Sequence, residues 1–186
     1  MKATGVVRRI DELGRIVIPK EIRRTLKIKE GTPLEIYSGE CGELILKKYS
    51  PILEISDFAD EIAQSISESI NANTLITNME KVIASAGVSK NTYLSKEVDS
   101  LVEKTIQSRQ SKIFLKSEVR TLIVGDNISS FVVCPICQAG DVFGAIIIFR
   151  ENLSVNESDL NVAKSFADFL GKQVGWYGKD KVKFYV

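Results

Sequence analysis

Apolar residues four apart at Phe58, Ile62, Ile66 and Ile70 draw the most regular stripe in the chain. That spacing predicts an amphipathic helix, with Ser56 as its N-cap and Asp57, Asp60 and Glu61 suited to its first turn. A second helix is expected after Ser154-Val155-Asn156-Glu157, which fits a capping box, with Leu160, Ala163, Phe166, Ala167, Leu170 and Val174 on one face. Between the two the period shortens. Ser129 to Cys137 and Val142 to Arg150 read as strands joined by Gln138-Ala139-Gly140-Asp141, a hairpin. Thr74 to Thr77 and Val82 to Ser85 read as another pair, and Lys112 to Leu115 and Val119 to Val124 as further strands. Val98, Leu101, Val102 and Ile106 mark a helix capped near Ser95. Residues 56–178 therefore read as an antiparallel sheet flanked by helices, whose terminal helices either cover the sheet or pair with those of another subunit. Lys179 to Val186 alternates like a strand and stands apart as a C-terminal tail.

Residues 1–50 have a different rhythm. Thr4 to Ile10 and Arg15 to Ile18 read as strands around the turn Asp11-Glu12-Leu13-Gly14, and Pro19 opens a two-turn helix carrying Ile22 and Leu26. Pro33 to Tyr37 and Glu43 to Lys48 form a second hairpin, which makes the order ββαββ. About 50 residues bury too little apolar surface to be comfortably stable alone, so oligomerisation is expected to supply the missing core. Ser50-Pro51 marks the boundary, with 51–55 as a linker.

Charge separates the same two parts. Residues 1–29 hold nine Lys and Arg against three acidic residues, a net of +6, whereas residues 51–186 sum to −3. A basic head on a mildly acidic body fits a polyanion-binding module, and a solvated charged surface is the plainer alternative. Lys20, Arg23, Arg24 and Lys27 fall at i, i+3, i+4 and i+7, opposite Ile22 and Leu26, and Arg8, Arg9 and Arg15 add guanidinium groups from the first hairpin. The planar arginine fork suits phosphate oxygens and guanine edges.

The chain contains no histidine, which excludes a Ser-His-Asp triad, a Cys-His dyad and any His-ligated metal. Three cysteines, of which only Cys134 and Cys137 are close in sequence, do not make a four-ligand zinc site. Neither a metal nor a cofactor is expected. The longest apolar run, Val142 to Phe149, is far short of the roughly 20 residues a spanning helix needs, and the basic N-terminus does not read as a secretory signal. A cytoplasmic protein with no membrane partner is the expectation.

Gly5-Val6-Val7-Arg8-Arg9-Ile10-Asp11-Glu12-Leu13-Gly14-Arg15-Ile16-Val17-Ile18-Pro19, followed by Lys20-Glu21-Ile22-Arg23-Arg24-Thr25-Leu26, resembles the AbrB family of swapped-hairpin transition-state regulators. The likeness spans about residues 3 to 50. Over its whole length the chain resembles those members that carry a second, sensor-like domain and regulate transcription in spore-forming bacteria. The resemblance implies a β-barrel formed when two chains interleave their hairpins, and double-stranded DNA as partner through Arg8, Arg15, Arg23 and Arg24. Arg9 and Lys20 are added candidates; Arg8 and Arg9 point to opposite faces of a strand, so both meet DNA only at an edge or a strong twist. The second domain resembles a GAF fold, a six-stranded sheet with helices behind it, which commonly holds a small ligand. No motif in this chain names that ligand.

The expected whole is an α+β protein: residues 1–50 as an AbrB-like DNA-binding and dimerisation domain, 51–55 as linker, 56–178 as a GAF-like domain, and 179–186 as tail. It reads as a non-enzymatic regulator of sporulation genes, a dimer through the first domain and a tetramer through the second, with an unidentified small molecule as possible ligand. Two alternatives stand beside it. A thiol redox enzyme or switch would use Cys134 and Cys137, whose i, i+3 spacing in a strand keeps the sulfurs apart unless a bulge intervenes. An antitoxin would share the swapped hairpin but follow it with a disordered tail, which the apolar patterning of 52–175 does not suit.

Overall fold

The computed structural model describes residues 5–87, 90–115, 122–123, 128, 130–151 and 153–181. Met1–Tyr49 and Ser50–Val186 form two compact units.

In the first unit, α1 (Lys20–Thr25) precedes β1 (Leu34–Ser38) and β2 (Leu44–Lys48). The two strands pair antiparallel from Leu34↔Lys48 to Ser38↔Leu44, and Gly42 takes a positive φ of 80° in the connecting turn. The turn at Asp11–Arg15 forms as read: the Asp11 N–H donates to the Arg15 carbonyl and the Gly14 N–H to that of Asp11, both at 3.0 Å. The flanking segments depart from expectation. Residues 5–10 and 15–19 belong to no strand, and no closed barrel is present among the described residues. α1 is six residues long, and Leu26, read as core, is 53% exposed.

These departures share one cause. No described side chain between residues 5 and 49 is buried, and Val7, Leu13, Val17 and Leu44 are each more than 70% exposed. A strand-like pattern forms a ladder only where a neighbouring strand offers its N–H and C=O groups, and one copy of this unit contains too few strands to provide them.

The second unit begins with a 3₁₀ turn, Pro51–Ile55, in the stretch read as linker. Ile52 and Ile55 lie in this unit's core. α2 (Ser56–Ile70) continues directly from the turn, so Ser56 is its first residue rather than a side-chain cap. There follow β3 (Asn73–Thr77), β4 (Val82–Ala86), α3 (Lys90–Tyr93), α4 (Ser100–Ser108), β5 (Lys112–Phe114), β6 (Phe131–Gln138), β7 (Asp141–Phe149) and α5 (Glu157–Lys181). The sheet has five strands among the described residues, not the six expected, in the antiparallel order β4-β3-β7-β6-β5. Of the strand read over Val119–Val124, only Leu122 and Ile123 are described, with Ile123 bridged to Val98; the rest lies outside the described residues.

Strand alternation divides the core into two layers. Ile76, Val132, Cys134, Ile136, Ile146 and Ile148 pack with α2 and α5, while Leu75, Phe131, Val133, Ala145, Ile147 and Phe149 pack with α4. β7 is thus buried on both faces, which explains its unbroken apolar run. Glycines let backbones meet closely here: a Cβ on Gly144 would lie 1.8 Å from the Thr77 carbonyl oxygen, and one on Gly171 of α5 would lie 2.3 Å from that of Cys137.

The terminal helices use their stripes inside the unit. Ile66 and Leu170 are fully buried against the sheet, so these residues do not pair between subunits. What stays at the surface is Leu53, with Phe169 at 42% exposure and its ring 5.7 Å from that of Phe58.

The caps also shift. Asp99, not Ser95, caps α4 by accepting the Leu101 N–H at 2.9 Å. At α5 the reciprocal pair is Asn156 and Asp159, not Ser154 and Glu157: Asn156 Oδ1 accepts from the Ser158 and Asp159 N–H groups, and Asp159 Oδ2 accepts from that of Asn156. Arg150 selects this pair, since its guanidinium binds the buried Asp159 carboxylate and the Ile70 carbonyl. α5 continues through Lys181, so the first residues of the expected tail strand are helical; 182–186 lie outside the described residues, as do the side chains of Trp176 and Tyr177.

Candidate nucleic-acid interface

The basic residues singled out from sequence are all exposed. Lys20, Arg23 and Arg24 stand on α1, and the helix is held by the Arg23 N–H on the Pro19 carbonyl and the Thr25 hydroxyl on the Glu21 carbonyl, both at 2.9 Å. Lys27 falls just past the helix in a left-handed conformation (φ 52°), so the four-cation stripe read from sequence ends at Arg24. Arg8 and Arg9 lie on the segment before the turn, and the Arg8 guanidinium donates to the Val7 carbonyl at 3.2 Å. Among the described residues, Arg9, Lys20, Arg23 and Arg24 have no ion-pair partner. Cations that are exposed and unneutralised keep their full attraction for a polyanion.

Arg15 is the exception. Its Nε donates to Asp11 Oδ2 at 2.8 Å, while Asp11 Oδ1 accepts the N–H groups of Arg15 and Leu13 at 2.8 and 3.0 Å. The backbone and side-chain hydrogen bonds from Arg15 hold the Asp11 carboxyl below its usual range. Sequence reasoning treated Asp11 only as a turn residue; an Asp four positions before an Arg across a tight turn was the available signal.

The thiols are not activated as those of a redox pair would be. Cys134 is buried, with its sulfur 3.1 Å from the Ser111 hydroxyl, and Cys137 is half-buried. The register shift between Ile136 and Cys137 supplies the irregularity that pairing within a strand requires, so the thiols' surroundings, not their spacing, set them apart from such a pair. Burial pushes both thiols above their usual range, outweighing the Ser111 hydrogen bond at Cys134 and the nearby Arg109 charge at Cys137. A raised pKa means less thiolate at neutral pH, so a thiol reagent at pH 7.5 is expected to modify exposed Cys41 quickly and the other two at least about tenfold more slowly. Three equally fast thiols per chain would contradict this placement.

A family model described as stage V sporulation protein T C-terminal, transcription factor, matches residues 54–175. The chain belongs to this family. Stage V sporulation protein T of Bacillus subtilis is 44% identical over 176 residues, covering 94% of this chain and 99% of that protein. Within the first unit, the transition state regulatory protein AbrB of the same organism is 61% identical over 51 residues, 27% of this chain and 52% of that protein. A model of the MazE bacterial antitoxins matches residues 7–54. Among solved structures, the GAF domain of an Acinetobacter phosphoenolpyruvate-protein phosphotransferase superposes with a TM-score of 0.59 at 12% identity, covering 72% of this chain and 93% of that one. For a member of the stage V sporulation protein T family this gives the second unit a GAF-like fold, and fold alone names no ligand. No helix among the described residues is long and apolar enough to cross a membrane.

Proposed function

We propose that the chain is a sequence-specific DNA-binding regulator of sporulation genes, acting in the cytoplasm without a catalytic step of its own. Residues 1–50 bind double-stranded DNA and dimerise, and residues 56–178 form a GAF-like part that drives tetramerisation and receives a small ligand. The observation that carries this reading is the state of the first unit: Arg9, Lys20, Arg23 and Arg24 face outward with no ion-pair partner among the described residues, and none of its described apolar side chains is buried. Arg8, Arg9, Arg15, Lys20, Arg23 and Arg24 make the DNA contacts, the arginines gripping phosphates and base edges. The exposed apolar residues Val7, Leu13, Val17 and Leu44 pack against a second copy. Kinship with a transcription factor family and with AbrB supports the DNA partner.

Tetramerisation uses surface left outside the core, at half-exposed Phe169 with the Phe58 ring beside it, rather than the stripe positions fully buried against the sheet. Expressed alone, residues 1–50 are expected to be dimeric wherever they are folded and to bind duplex DNA, because an interleaved core has no stable monomer. Sedimentation across a dilution series with duplex titrations checks both points. A folded monomer would refute the shared core, and a dimer indifferent to DNA would refute the interface.

A further inference from the structure

Arg15 has a long, flexible side chain at a position where its guanidinium must meet a partner, yet the structure does not leave it loose. The Asp11 carboxylate is fixed first, because Oδ1 accepts two backbone N–H groups of its own turn, at Leu13 and Arg15. Oδ2 then takes the Arg15 Nε, leaving the Nη1 and Nη2 edge without a hydrogen bond among the described residues and the side chain 70% exposed. Gly14, at φ 74°, gives the turn its tightness. An arginine held by Nε offers the two parallel donors that match a phosphate or a guanine edge.

We propose that Asp11 is a positioning residue for DNA recognition, presenting the Arg15 fork to the duplex in a prepaid orientation. The proposal rests on the reading of Arg15 as a DNA contact. It gives Asp11→Asn an unusual sign. The amide keeps an oxygen for the two turn N–H groups but no longer offers a second acceptor to Nε. A carboxylate that is merely near DNA repels phosphate, so neutralising it would strengthen binding. If Asp11 positions Arg15, the same change weakens specific binding, because the arginine must then be ordered on binding.

The test uses the full chain and a short duplex selected from random sequence by the wild type, with a scrambled duplex as control. Asp11→Asn is expected to lower affinity for the selected duplex by about threefold to tenfold and to leave the scrambled one unchanged or slightly better bound. Arg15→Ala is expected to lose more, and adding Asp11→Asn to it should cost nothing further. The Arg15 Nε–H resonance, visible and slowly exchanging in wild type, should broaden or vanish in Asp11→Asn; its absence in wild type overturns the proposal even if the variant does not fold. Equal or tighter specific binding by Asp11→Asn, while Arg15→Ala still weakens it, overturns the positioning role alone. An Arg15→Ala variant that binds like wild type removes both Arg15 from the interface and Asp11 with it.

Discussion

The double variant Arg23→Ala, Arg24→Ala is expected to lose specific DNA binding by at least about 100-fold while remaining a dimer. Each arginine contact is worth roughly 1–3 kcal/mol, and a dimer loses four at once. Both side chains are exposed and have no ion-pair partner among the described residues, so their removal opens no cavity and strands no buried charge. The salt dependence gives an independent reading. If Arg8, Arg15, Arg23 and Arg24 of two chains meet about eight phosphates, log affinity falls against log salt with a slope near about −7, and the double variant should retain about half of it. Unchanged affinity, or a wild-type slope near zero, would remove α1 from the interface.

The second large effect is expected in the core of the GAF-like unit. Ile66→Glu places a carboxylate at a fully buried position in the apolar cluster between α2 and the sheet, together with Ile62 and Ala63. An unpaired buried charge of this kind costs more than about 4 kcal/mol, a large part of the roughly 5–15 kcal/mol that holds a domain folded. The unit should lose its cooperative unfolding transition in circular dichroism. Phe169→Glu is the contrast, because Phe169 is 42% exposed. If the proposed tetramer forms through this surface, that variant should keep the fold, fall from four chains to two in sedimentation, and bind DNA more weakly as the linked second dimer is lost. Soluble, folded Ile66→Glu dimers would restore the inter-subunit role that the periodicity of α2 also allowed.

Repeating patterns were the most legible part of the sequence. The i, i+4 row from Phe58 to Ile70 predicted α2, and the apolar stretches Ser129 to Cys137 and Val142 to Arg150 around Gln138-Ala139-Gly140-Asp141 predicted the β6–β7 hairpin. These depend on neighbours a few residues apart, so the chain states them locally. The cation stripe on α1 was legible for the same reason, up to the left-handed residue at Lys27.

Asp11 shows where local reading fell short. Its type and place announced a turn, but the bond to Arg15 Nε depends on a side-chain rotamer that spacing does not specify. The α5 cap failed similarly, because Ser154 and Glu157 satisfy the spacing of a capping box as well as Asn156 and Asp159 do. The choice was made by Arg150, which arrives from the end of β7 and needs the Asp159 carboxylate.

By itself, then, the sequence determined the helices α2, α4 and α5, the strand pairs β1–β2, β3–β4 and β6–β7, and where the positive charge gathers, since these follow from short-range order along the chain. Only the tertiary structure decided what covers each apolar face. A stripe says that a helix must be buried without saying against what, and in this fold α2 and α5 spend theirs on their own sheet. The first fifty residues give the opposite result: the same kind of apolar pattern remains exposed, because among the described residues only β1 and β2 pair into a ladder there.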